Sequence, residues 1–467
     1  MTPGTIRAEV AVVGGGISGL AAARELHKRG IPFVLLEASG RWGGVIRTES
    51  EGGFLLEAGP DAMLAQKPDA ISLCRELGLA ERLVPTNPEQ RAVFVLHRGR
   101  MHPLPDGMFL AIPTRFWPLI TSGLFSWPGK LRMGLDLLWP ARRDAGDESI
   151  ADFLARRFGR ESVERLGEPL LAGIHAGEPE RLSIRATFPR FVELEARYGS
   201  LIRGFLAARP RAPQPPGPPA PAFYSLRGGL GELVNALVAQ LPAASLRKDC
   251  AVASLELASD GLALKLAAGE CLRVRAVVVA LPAPRAAALL ARLLPEAAPL
   301  LAGVAHASTA TVLLGYRRED VANPLAGYGL VVPRGEGLRT AACSFFSSKF
   351  PGRAPEGHVL LRGFLGGARD PEILQLDAAA LAALVRREMD PVLGLRGEPV
   401  LTRVYRWPQG TPQMEVGHLE RVAEIERRAA GVPGLFLTGA GLRVTGIPDC
   451  VVDGTRNAAA AADWLAT

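Results

Sequence analysis

The stretch that decides the fold is Val10-Ala11-Val12-Val13-Gly14-Gly15-Gly16-Ile17-Ser18-Gly19. Its β-branched start predicts a buried strand, and the glycines predict a tight turn into a helix over Leu20 to Arg29. Gly14 permits the turn, Gly16 lets the backbone approach a pyrophosphate, and Gly19 allows close packing of helix and strand. Because N–H groups at a helix N-terminus bind phosphate, the stretch predicts a dinucleotide site.

A second strand and an acid complete this pattern. Phe33 to Leu36 is apolar and ends on Glu37, which stands 21 residues after Gly16 and can bond the ribose hydroxyls of a dinucleotide. An acid at this position disfavours NADP, whose 2′-phosphate favours an arginine. The fingerprint by itself leaves NAD and FAD open.

The sequence offers no second complete fingerprint. Gly228-Gly229-Leu230-Gly231 lacks a preceding strand, and Gly439-Ala440-Gly441 has only part of the pattern. With one dinucleotide site, we expect electrons to leave the cofactor for oxygen or a quinone. This favours an oxidase.

Composition limits the remaining classes. The chain has 467 residues, of which 48% are apolar. This length is too great for one ordinary core and predicts two or three packed units. Its net charge of +7 comes almost entirely from dispersed arginine, without a nucleic-acid-reading motif, so we expect no nucleic-acid partner. Five scattered cysteines without a C-x-x-C pair argue against disulfides and metal sites, and favour a reduced, cytoplasmic compartment.

Later pieces of the dinucleotide unit lie far along the sequence. Strands are predicted at Val277 to Pro282 and Leu435 to Thr438, and a terminal helix from about Asn457 to Leu465. Pro210 to Pro221 is proline-rich and predicts an exposed connector. Between Arg285 and Arg428, alternating strands and helices indicate an α+β unit.

Aromatic and cationic residues are mixed between Gly107 and Arg143. Three of the six tryptophans fall there, Trp117, Trp127 and Trp139, among several arginines and a lysine. No uncharged run in this segment is long enough to span a bilayer. The mixture suits a membrane headgroup interface, and an ordinary helical core or a dimer contact explains it about equally well.

Beyond the fingerprint, six further stretches stand in order: Arg41 to Thr48, Glu57 to Ala62, Leu171 to Pro179, Ser347 to Pro355, Arg406 to His418 and Gly446 to Cys450. Together they resemble the oxygen-dependent, FAD-containing protoporphyrinogen oxidases, a family within the amine oxidase-like flavoproteins. The resemblance runs almost end to end.

This resemblance implies an α/β plus α+β fold. A Rossmann-like FAD-binding domain would be interrupted by a substrate domain and by a helical membrane-binding domain. The implied FAD-binding parts are residues 1–70, 223–283 and 429–467, the substrate-domain parts are 71–86 and 284–428, the helical domain is 87–205, and the proline-rich loop is 206–222. The aromatic segment would fall in the helical domain, which favours the interfacial interpretation.

The resemblance also implies the cofactor contacts. They are Gly14, Gly15, Gly16, Ile17, Ser18, Gly19, Glu37, Ala38, Arg41, Gly43, Gly44, Gly59, Pro60, Asp61, Ala62, Val252, Trp407, Gly439, Ala440, Ile447, Pro448 and Asp449. FAD is expected to bind non-covalently, because Cys450 is not embedded in the S-G-G-C pattern of covalent amine oxidases.

On the substrate side, Gly173 and His175 would line the cavity beside the flavin. The family often has an arginine, which can pair with a substrate propionate, at the position of Val93. Either Arg91 or Arg98 takes over that role, or the propionate is bound differently, and Arg91 is the residue assigned to substrate binding. His175 stands where an aromatic is usual, and we expect a hydrogen-bonded pocket residue rather than a catalytic base. No side chain is assigned as catalytic, because the flavin performs the chemistry.

The implied activity is oxidation of protoporphyrinogen IX to protoporphyrin IX with oxygen, in haem biosynthesis. A coproporphyrinogen III oxidase of the same family is the nearest alternative. A flavin monoamine oxidase and a carotenoid desaturase are more distant, and an FAD-bound scaffold without activity belongs to another class. We expect a cytoplasmic protein that rests on the cytoplasmic face of the cell membrane. A homodimer and hand-over of product to a chelatase remain open.

Overall fold

The computed structural model describes residues 8–142, 146–208 and 220–467. Its strands are β1 (Val10–Val13), β2 (Phe33–Leu36), β3 (Thr48–Glu51), β4 (Phe54–Glu57), β5 (Met63–Leu64), β6 (Leu83–Pro85), β7 (Val93–His97), β8 (Arg100–Pro103), β9 (Met108–Phe109), β10 (Ile112–Pro113), β11 (Phe223–Leu226), β12 (Leu246–Arg247), β13 (Val252–Ala258), β14 (Gly261–Leu266), β15 (Cys271–Val274), β16 (Ala276–Ala280), β17 (His306–Arg317), β18 (Gly329–Val331), β19 (Thr340–Phe345), β20 (His358–Gly366), β21 (Leu401–Pro412) and β22 (Leu435–Thr438).

Seventeen α-helices accompany these strands in the described residues. They are α1 (Ile17–Lys28), α2 (Asp69–Glu76), α3 (Phe116–Thr121), α4 (Trp127–Gly134), α5 (Ile150–Phe158), α6 (Arg160–Ser162), α7 (Glu168–His175), α8 (Ile184–Thr187), α9 (Pro189–Tyr198), α10 (Leu201–Ala207), α11 (Gly231–Ala239), α12 (Ala283–Leu290), α13 (Ala298–Ala302), α14 (Phe346–Lys349), α15 (Ala378–Leu393), α16 (His418–Ala429) and α17 (Ile447–Leu465). Among the described residues, α3 to α10 follow one another without a strand between them. A π-helical segment, Val163–Gly167, joins α6 to α7.

A parallel sheet with strand order β12-β2-β1-β16-β22 forms the first layer. Strand β1 pairs with β2 on one side and with β16 on the other, so that Val10 stands opposite both Phe33 and Ala276. Every residue of β1 and β16 is buried, as expected of parallel strands covered on both faces. The predicted strands of the dinucleotide unit are therefore confirmed, and widely separated segments meet in one sheet.

Helices α1 and α17 pack against each other on this sheet. A Cβ on Gly454 would lie 2.2 Å from the carbonyl oxygen of Ser18, so the two backbones are in contact. The predicted start of the terminal helix at about Asn457 is wrong, because α17 begins ten residues earlier. Gly446 and Pro448 start it, since proline is compatible with a first helical turn and only disfavoured further inside.

A mixed sheet with strand order β21-β17-β20-β19-β18-β7-β8 forms the second main layer. Residues 93–103, expected in the helical domain, are instead its strands β7 and β8. Their side chains alternate between two cores, with Val95 in the core of the helices and Leu96 on the other face of the sheet. Likewise, α2 packs Leu73 and Cys74 into the core of the parallel sheet, although residues 71–86 were expected in the substrate domain.

The helical unit, α3 to α10, covers one face of the mixed sheet. Its core includes Phe153 and Leu166 and extends to Val331 and Ala342 of the sheet. A fully buried guanidinium, Arg157, holds the unit together through ion pairs with Asp136 and Glu195. In the described ranges, no helix is long and apolar enough to cross a membrane.

Candidate functional site

The turn from β1 into α1 is packed so closely that two positions accept only glycine. Gly14 has a φ of 108°, and a Cβ there would stand 2.4 Å from the carbonyl oxygen of Ala280. A Cβ on Gly19 would stand 1.8 Å from the carbonyl oxygen of Gly14. At Gly16, by contrast, a Cβ would meet nothing within 4 Å. Open space therefore lies over the start of α1, where a pyrophosphate would need it.

The N-terminus of α1 is suited to an anion. Gly16 is the N-cap residue and has no side chain to accept hydrogen bonds from the first turn. The N–H groups of that turn, at Ile17, Ser18 and Gly19, therefore remain available to a phosphate, and the helix dipole adds to the attraction.

Glu37 lies at the edge of this turn, directly after β2. Its carboxylate accepts hydrogen bonds from the backbone N–H of Gly15 at 2.7 Å and of Ser39 at 2.8 Å. Its carbonyl oxygen accepts one from Cys250, two residues before Val252 begins β13. The acid, Ala38, Val252 and the glycines are thus brought to one end of the parallel sheet, as ribose binding requires.

The loop from Arg41 to Gly44 forms a second wall. Gly43 donates its N–H to the carbonyl oxygen of Gly15 at 2.8 Å, and a Cβ on Gly44 would lie 3.2 Å from the Cα of Gly16. Arg41 fastens the loop by donating to the carbonyl oxygens of Gly44, at 2.5 Å, and Ile46, at 3.3 Å. We call this backbone-lined groove, residues 14–19 with residues 37–44, the dinucleotide cradle. Its shape and donors fit an FAD molecule.

The loop of Gly59, Pro60, Asp61 and Ala62 continues from the cradle toward the mixed sheet. The indole Nε1 of Trp407 donates to the carbonyl oxygen of Ala58 at 2.9 Å. Arg362 donates to Asp61 at 2.9 Å and also to the carbonyl oxygen of Gly59. A Cβ on Gly59 would lie 1.9 Å from the carbonyl oxygen of Val45, so this loop also needs glycine for a close approach.

Asp61 is held by two cations that the sequence alone did not single out. Lys349 contacts its carboxylate at 3.2 Å, and Arg362 contacts it from the other side. Burial would raise the pKa of Asp61, but these two cations hold that pKa below its usual value. Lys349 lies within the Ser347 to Pro355 stretch, so that motif was the available signal.

Glu57 is a second buried acid in this region, and the sequence analysis missed its environment. It is fully buried and accepts hydrogen bonds from the N–H of Leu230 at 2.6 Å and the hydroxyl of Thr48 at 2.7 Å. Burial raises the pKa of Glu57 to about 7, against those hydrogen bonds and the charges of two arginines. The Gly228 to Gly231 stretch thus binds a carboxylate of the protein instead of a second dinucleotide.

The first turn of α17 closes the groove from the other side. Ile447, Pro448 and Asp449 follow the N-cap Gly446, which has no side-chain cap. Asp449 pairs with Lys67 at 2.5 Å. The thiol of Cys450 is hydrogen-bonded to Ser18, which brings the starts of α17 and α1 together. Gly439 and Ala440 follow β22 at the same end of the sheet, and Ala440 forms a bridge with Val444.

Gly173 and His175 lie at the end of α7, over the mixed sheet. A Cβ on Gly173 would come within 3.6 Å of the Cβ of Ala342, so a larger side chain would reach the sheet. Burial lowers the pKa of His175 to about 4, and the positive charge of Lys67 adds to this effect. The imidazole is therefore neutral near pH 7 and packs edge-on against Phe188, with ring centroids 6.0 Å apart.

The two halves of the site are joined through residues 412–413. Gln413 donates from Nε2 to the carbonyl oxygen of His175 at 2.9 Å. A Cβ on Gly441 would lie 2.8 Å from the Cβ of Pro412. Residues 412–413 therefore contact both the His175 end of α7 and the segment that includes Gly439 and Ala440.

Neither candidate propionate partner is in hydrogen-bond or ion-pair contact with Gly173 or His175 among the described residues. Arg91 donates from Nη2 to the carbonyl oxygen of Ala220 at 2.9 Å. Arg98 lies at the tip of the β7–β8 hairpin, where its backbone N–H donates to Glu336.

Sequence and structure comparisons identify relatives of this chain over nearly its whole length. Residues 17–462 match the family described as flavin containing amine oxidoreductase. The chain is 36% identical over 465 residues to the coproporphyrinogen III oxidase of Bacillus subtilis (strain 168), covering 98% of both proteins. It is 32% identical over 452 residues to the chloroplastic protoporphyrinogen oxidase of Nicotiana tabacum, covering 92% of this chain and 80% of that protein.

Solved structures share the architecture. A crystal structure of a protein provisionally named protoporphyrinogen oxidase, from Exiguobacterium sp. 255-15, aligns with a TM-score of 0.86 and 30% identity, over 99% of this chain and 100% of that one. A putrescine oxidase aligns with a TM-score of 0.70 at 18% identity, over 98% of this chain and 99% of that one, and shares the fold.

Proposed function

Since this chain belongs to the flavin containing amine oxidoreductase family, we propose that it oxidises a porphyrinogen to the porphyrin, with FAD as cofactor and oxygen as electron acceptor. The observation that carries the proposal is the junction at residues 412–413, where the cofactor segment at Gly441 and the substrate residue His175 contact the same stretch. A pocket beside the flavin is what such a reaction needs, because the cofactor performs the chemistry and the protein orients the substrate.

The substrate is either protoporphyrinogen IX, as the sequence resemblance implies, or coproporphyrinogen III. A specific observation favours the second candidate: the relative from Bacillus subtilis is 36% identical over 98% of the chain, against 32% over 92% for the plant relative. Coproporphyrinogen carries more carboxylates. Lys67, beside His175 and Asp449, is a cation that could bind one of them.

On the cofactor side, backbone groups do most of the binding. The N–H groups at the start of α1 would hold the pyrophosphate of FAD, and Glu37 would exchange its bond with Gly15 for the ribose hydroxyls. Trp407 and Arg362 would fix the loop of Gly59 to Ala62 beneath the ring system. When bound, FAD accepts a hydride from the substrate and returns the electrons to oxygen.

The role proposed for His175 is to line the cavity. A neutral imidazole can hydrogen-bond a pyrrole N–H without adding a positive charge beside the flavin. Gly173 keeps side-chain atoms out of the space between α7 and the mixed sheet, where a Cβ would come within 3.6 Å of the Cβ of Ala342. We assign no essential general base to the chain.

Non-covalent attachment of FAD is supported by the state of Cys450. This thiol is buried in the first turn of α17 and hydrogen-bonded to Ser18, and burial raises its pKa to about 12. A thiol that stays protonated near pH 7 is a poor nucleophile. It is therefore not expected to form a thioether to the flavin.

We also propose that the protein rests on a membrane through the helical unit. Four side chains of residues 116–139 are among the most exposed apolar groups of the described chain: Trp117, at 73%, Leu138, at 78%, Leu131, at 72%, and Trp127, at 64%. We call this surface the aromatic face. Aromatic and aliphatic groups mixed with cations are suited to the headgroup region. The cytoplasmic side is the proposed location, in keeping with five free cysteines.

The test is an oxidation assay on the purified holoprotein under air. Porphyrin fluorescence is followed with protoporphyrinogen IX and coproporphyrinogen III supplied separately, and FAD is identified in the supernatant after acid precipitation. We expect fluorescence to rise with at least one substrate, and the ratio of kcat/KM values to choose between them. A flavin-loaded protein that is silent with both would overturn the proposal, and flavin retained in the precipitate would overturn non-covalent binding.

His175→Gln is the accompanying variant. Because the pKa of His175 is about 4, it does not titrate between about pH 6 and 8, and it is not expected to produce an inflection in kcat/KM there. We expect the variant to keep kcat within about fivefold and to change KM more, which is below the effect of about 100-fold or more of a lost general base. Loss of turnover with FAD still bound would assign His175 a catalytic role.

A further inference from the structure

A cavity of about 520 Å³ lies at the edge of the mixed sheet and is lined by cationic groups. Its walls are formed by the β7–β8 hairpin and by the connection between α3 and α4. The lining residues are His97, Arg98, Arg100, His102, Gly123, Phe125, Ser126 and Arg165. We call it the cationic cavity. It shares no residue with the dinucleotide cradle or with the Gly173 and His175 pocket.

Nearby carboxylates are already engaged with other groups. Glu336 accepts hydrogen bonds from the backbone N–H of Arg98 at 2.8 Å and of Gly99 at 3.0 Å. Glu161 accepts from the N–H and hydroxyl of Ser126 and pairs with Arg165 at 3.0 Å. Within the described ranges, the guanidinium groups of Arg98 and Arg100 make neither a hydrogen bond nor an ion pair. Two positive charges in the cavity are therefore uncompensated.

Two histidines, His97 and His102, line the hairpin side of the cavity. Their rings lie 5.8 Å apart, and His97 is 3.7 Å from Glu336. Burial lowers the pKa of His97, and the charges of Arg165, Arg98 and His102 lower it further, against the charge of Glu336. The depressed pKa agrees with a positive potential in the cavity. An anion placed there would meet arginines that can donate paired hydrogen bonds.

The cavity borders the aromatic face. Phe125 and Ser126 line it, and Trp127, the first residue of α4, follows directly with its ring exposed. Lys130 lies over that ring at 4.6 Å and donates to the carbonyl oxygen of Ile120, which ties α4 to α3. If the aromatic face lies at the level of the lipid headgroups, the cavity beside it lies at the depth of their phosphates.

We propose that the cationic cavity binds the phosphate of an anionic lipid headgroup, so that attachment of the aromatic face depends on acidic lipid. This inference rests on the membrane attachment proposed above. The aromatic face supplies apolar burial with any lipid, whereas Arg98 and Arg100 supply positive charge, which a lipid surface of net negative charge attracts more strongly than a zwitterionic one. Charge complementarity selects an acidic lipid surface over a neutral partner.

The experiment measures binding of the flavin-loaded protein to vesicles. Phosphatidylcholine vesicles are compared with vesicles that also contain phosphatidylglycerol. We expect the acidic lipid to raise the partition coefficient of the wild type by about tenfold or more, and Arg98→Gln/Arg100→Gln to lose most of that gain. The matched control, Arg273→Gln/Arg292→Gln, removes the same charge from another surface and should keep the gain within about twofold. Flavin content and circular dichroism verify the fold of each variant.

Further arms separate the remaining outcomes. Trp117→Ala should weaken binding to both vesicle types, because it removes apolar contact. Equal lipid preference in the Arg98/Arg100 variant and the wild type would overturn the inference. Inorganic phosphate is also titrated, without vesicles, against the wild type and the Arg98/Arg100 variant. If phosphate binds only the wild type, and the wild type shows no preference for acidic lipid, the lipid assignment is overturned. A wild type that binds no vesicle would also overturn the inference, without touching the oxidase proposal, since the vesicle readout does not depend on turnover.

Discussion

The dinucleotide cradle and the cationic cavity are both suited to anions, but they are built from opposite materials. The cradle is made of backbone N–H groups and glycines, and its walls approach within van der Waals distance. The cavity is made of arginine side chains on an exposed hairpin. Fixed backbone dipoles bind one group in one position. Long charged side chains can adopt several positions, and salt weakens their attraction for an anion. We therefore expect one added methyl group to weaken anion binding in the cradle. In the cavity, we expect anion binding to weaken only when positive charge is removed.

The strongest test of this contrast adds a single side chain to the cradle. Gly19→Val places atoms against the carbonyl oxygen of Gly14 and should prevent correct folding of the α1 turn. Gly16→Ala meets no protein atom within 4 Å, at an ordinary φ of −72°, and should leave the apoprotein folded. We expect it to weaken FAD binding by roughly 100-fold, or about 2.7 kcal/mol, measured by flavin titration of the apoprotein.

Gly335→Ala is the control, because this glycine also has nothing within 4 Å and lies outside the cradle. It should bind FAD as the wild type does. Unchanged FAD affinity in Gly16→Ala would show that the pyrophosphate does not pass over Gly16, and the contrast between the two anion sites would be lost.

The next effect concerns the support beneath the aromatic face. Arg157 is fully buried and contacts Asp136 at 3.3 Å and Glu195 at 2.7 Å. Arg157→Leu leaves both carboxylates without this partner, and such a loss typically costs about 3–5 kcal/mol. We expect a lower midpoint of urea unfolding and partial loss of vesicle binding. The exposed Arg160→Leu is the control, and a change of under about 1 kcal/mol in Arg157→Leu would show that the face does not depend on this ion cluster.

A third effect, spread over several pH units, is a pH dependence of stability near the cradle. The pKa of Glu57 is about 7 in the folded protein, above its ordinary value of 4.5, so folding favours the protonated form. The stability that Glu57 contributes is fully present below about pH 4.5 and is lost as the pH rises through 7, a change of up to about 3 kcal/mol.

Glu57→Gln removes this titration. The difference in unfolding midpoint between wild type and variant should therefore shift in favour of the variant from about pH 5 to about pH 8. The exposed Glu81→Gln should show a constant difference over the same range. A constant difference for Glu57→Gln as well would mean that its carboxyl is solvated in the folded protein.

The sequence was informative where backbone geometry demands a particular residue. Gly14 and Gly19 stand where a turn and a close packing contact require glycine, and Glu37 ends β2 beside the same turn. The fold class and the flavin oxidoreductase family were therefore predictable and are confirmed. The start of α17 was missed because Gly454 disfavours a helix in isolation, while its contact with Ser18 stabilises one here.

Side-chain clusters were harder to predict, because their members are distant in the sequence. Lys349 and Arg362 reach Asp61 from two elements of the mixed sheet region, and Lys67 reaches Asp449 across 382 positions. The cationic cavity combines a hairpin, a helix connection and Arg165. No local pattern of charge or hydrophobicity encodes such meetings. The predicted boundary at residue 87 failed for the same reason, since β7 takes its partner, β18, from far along the chain.

The contact between α1 and α17 joins Ser18 to Gly454, which stands 436 positions later in the sequence. During synthesis, the glycine-rich half of the cradle leaves the ribosome long before β22 and α17 exist. Until then, β1 and α1 lack part of the parallel sheet, and the contact between Ser18 and Cys450 cannot form. Domains usually form as units during translation, whereas contacts between distant segments form slowly. Flavin capture is therefore a late event in the life of each chain, and the nascent protein must protect a long apolar surface before the cofactor can join it.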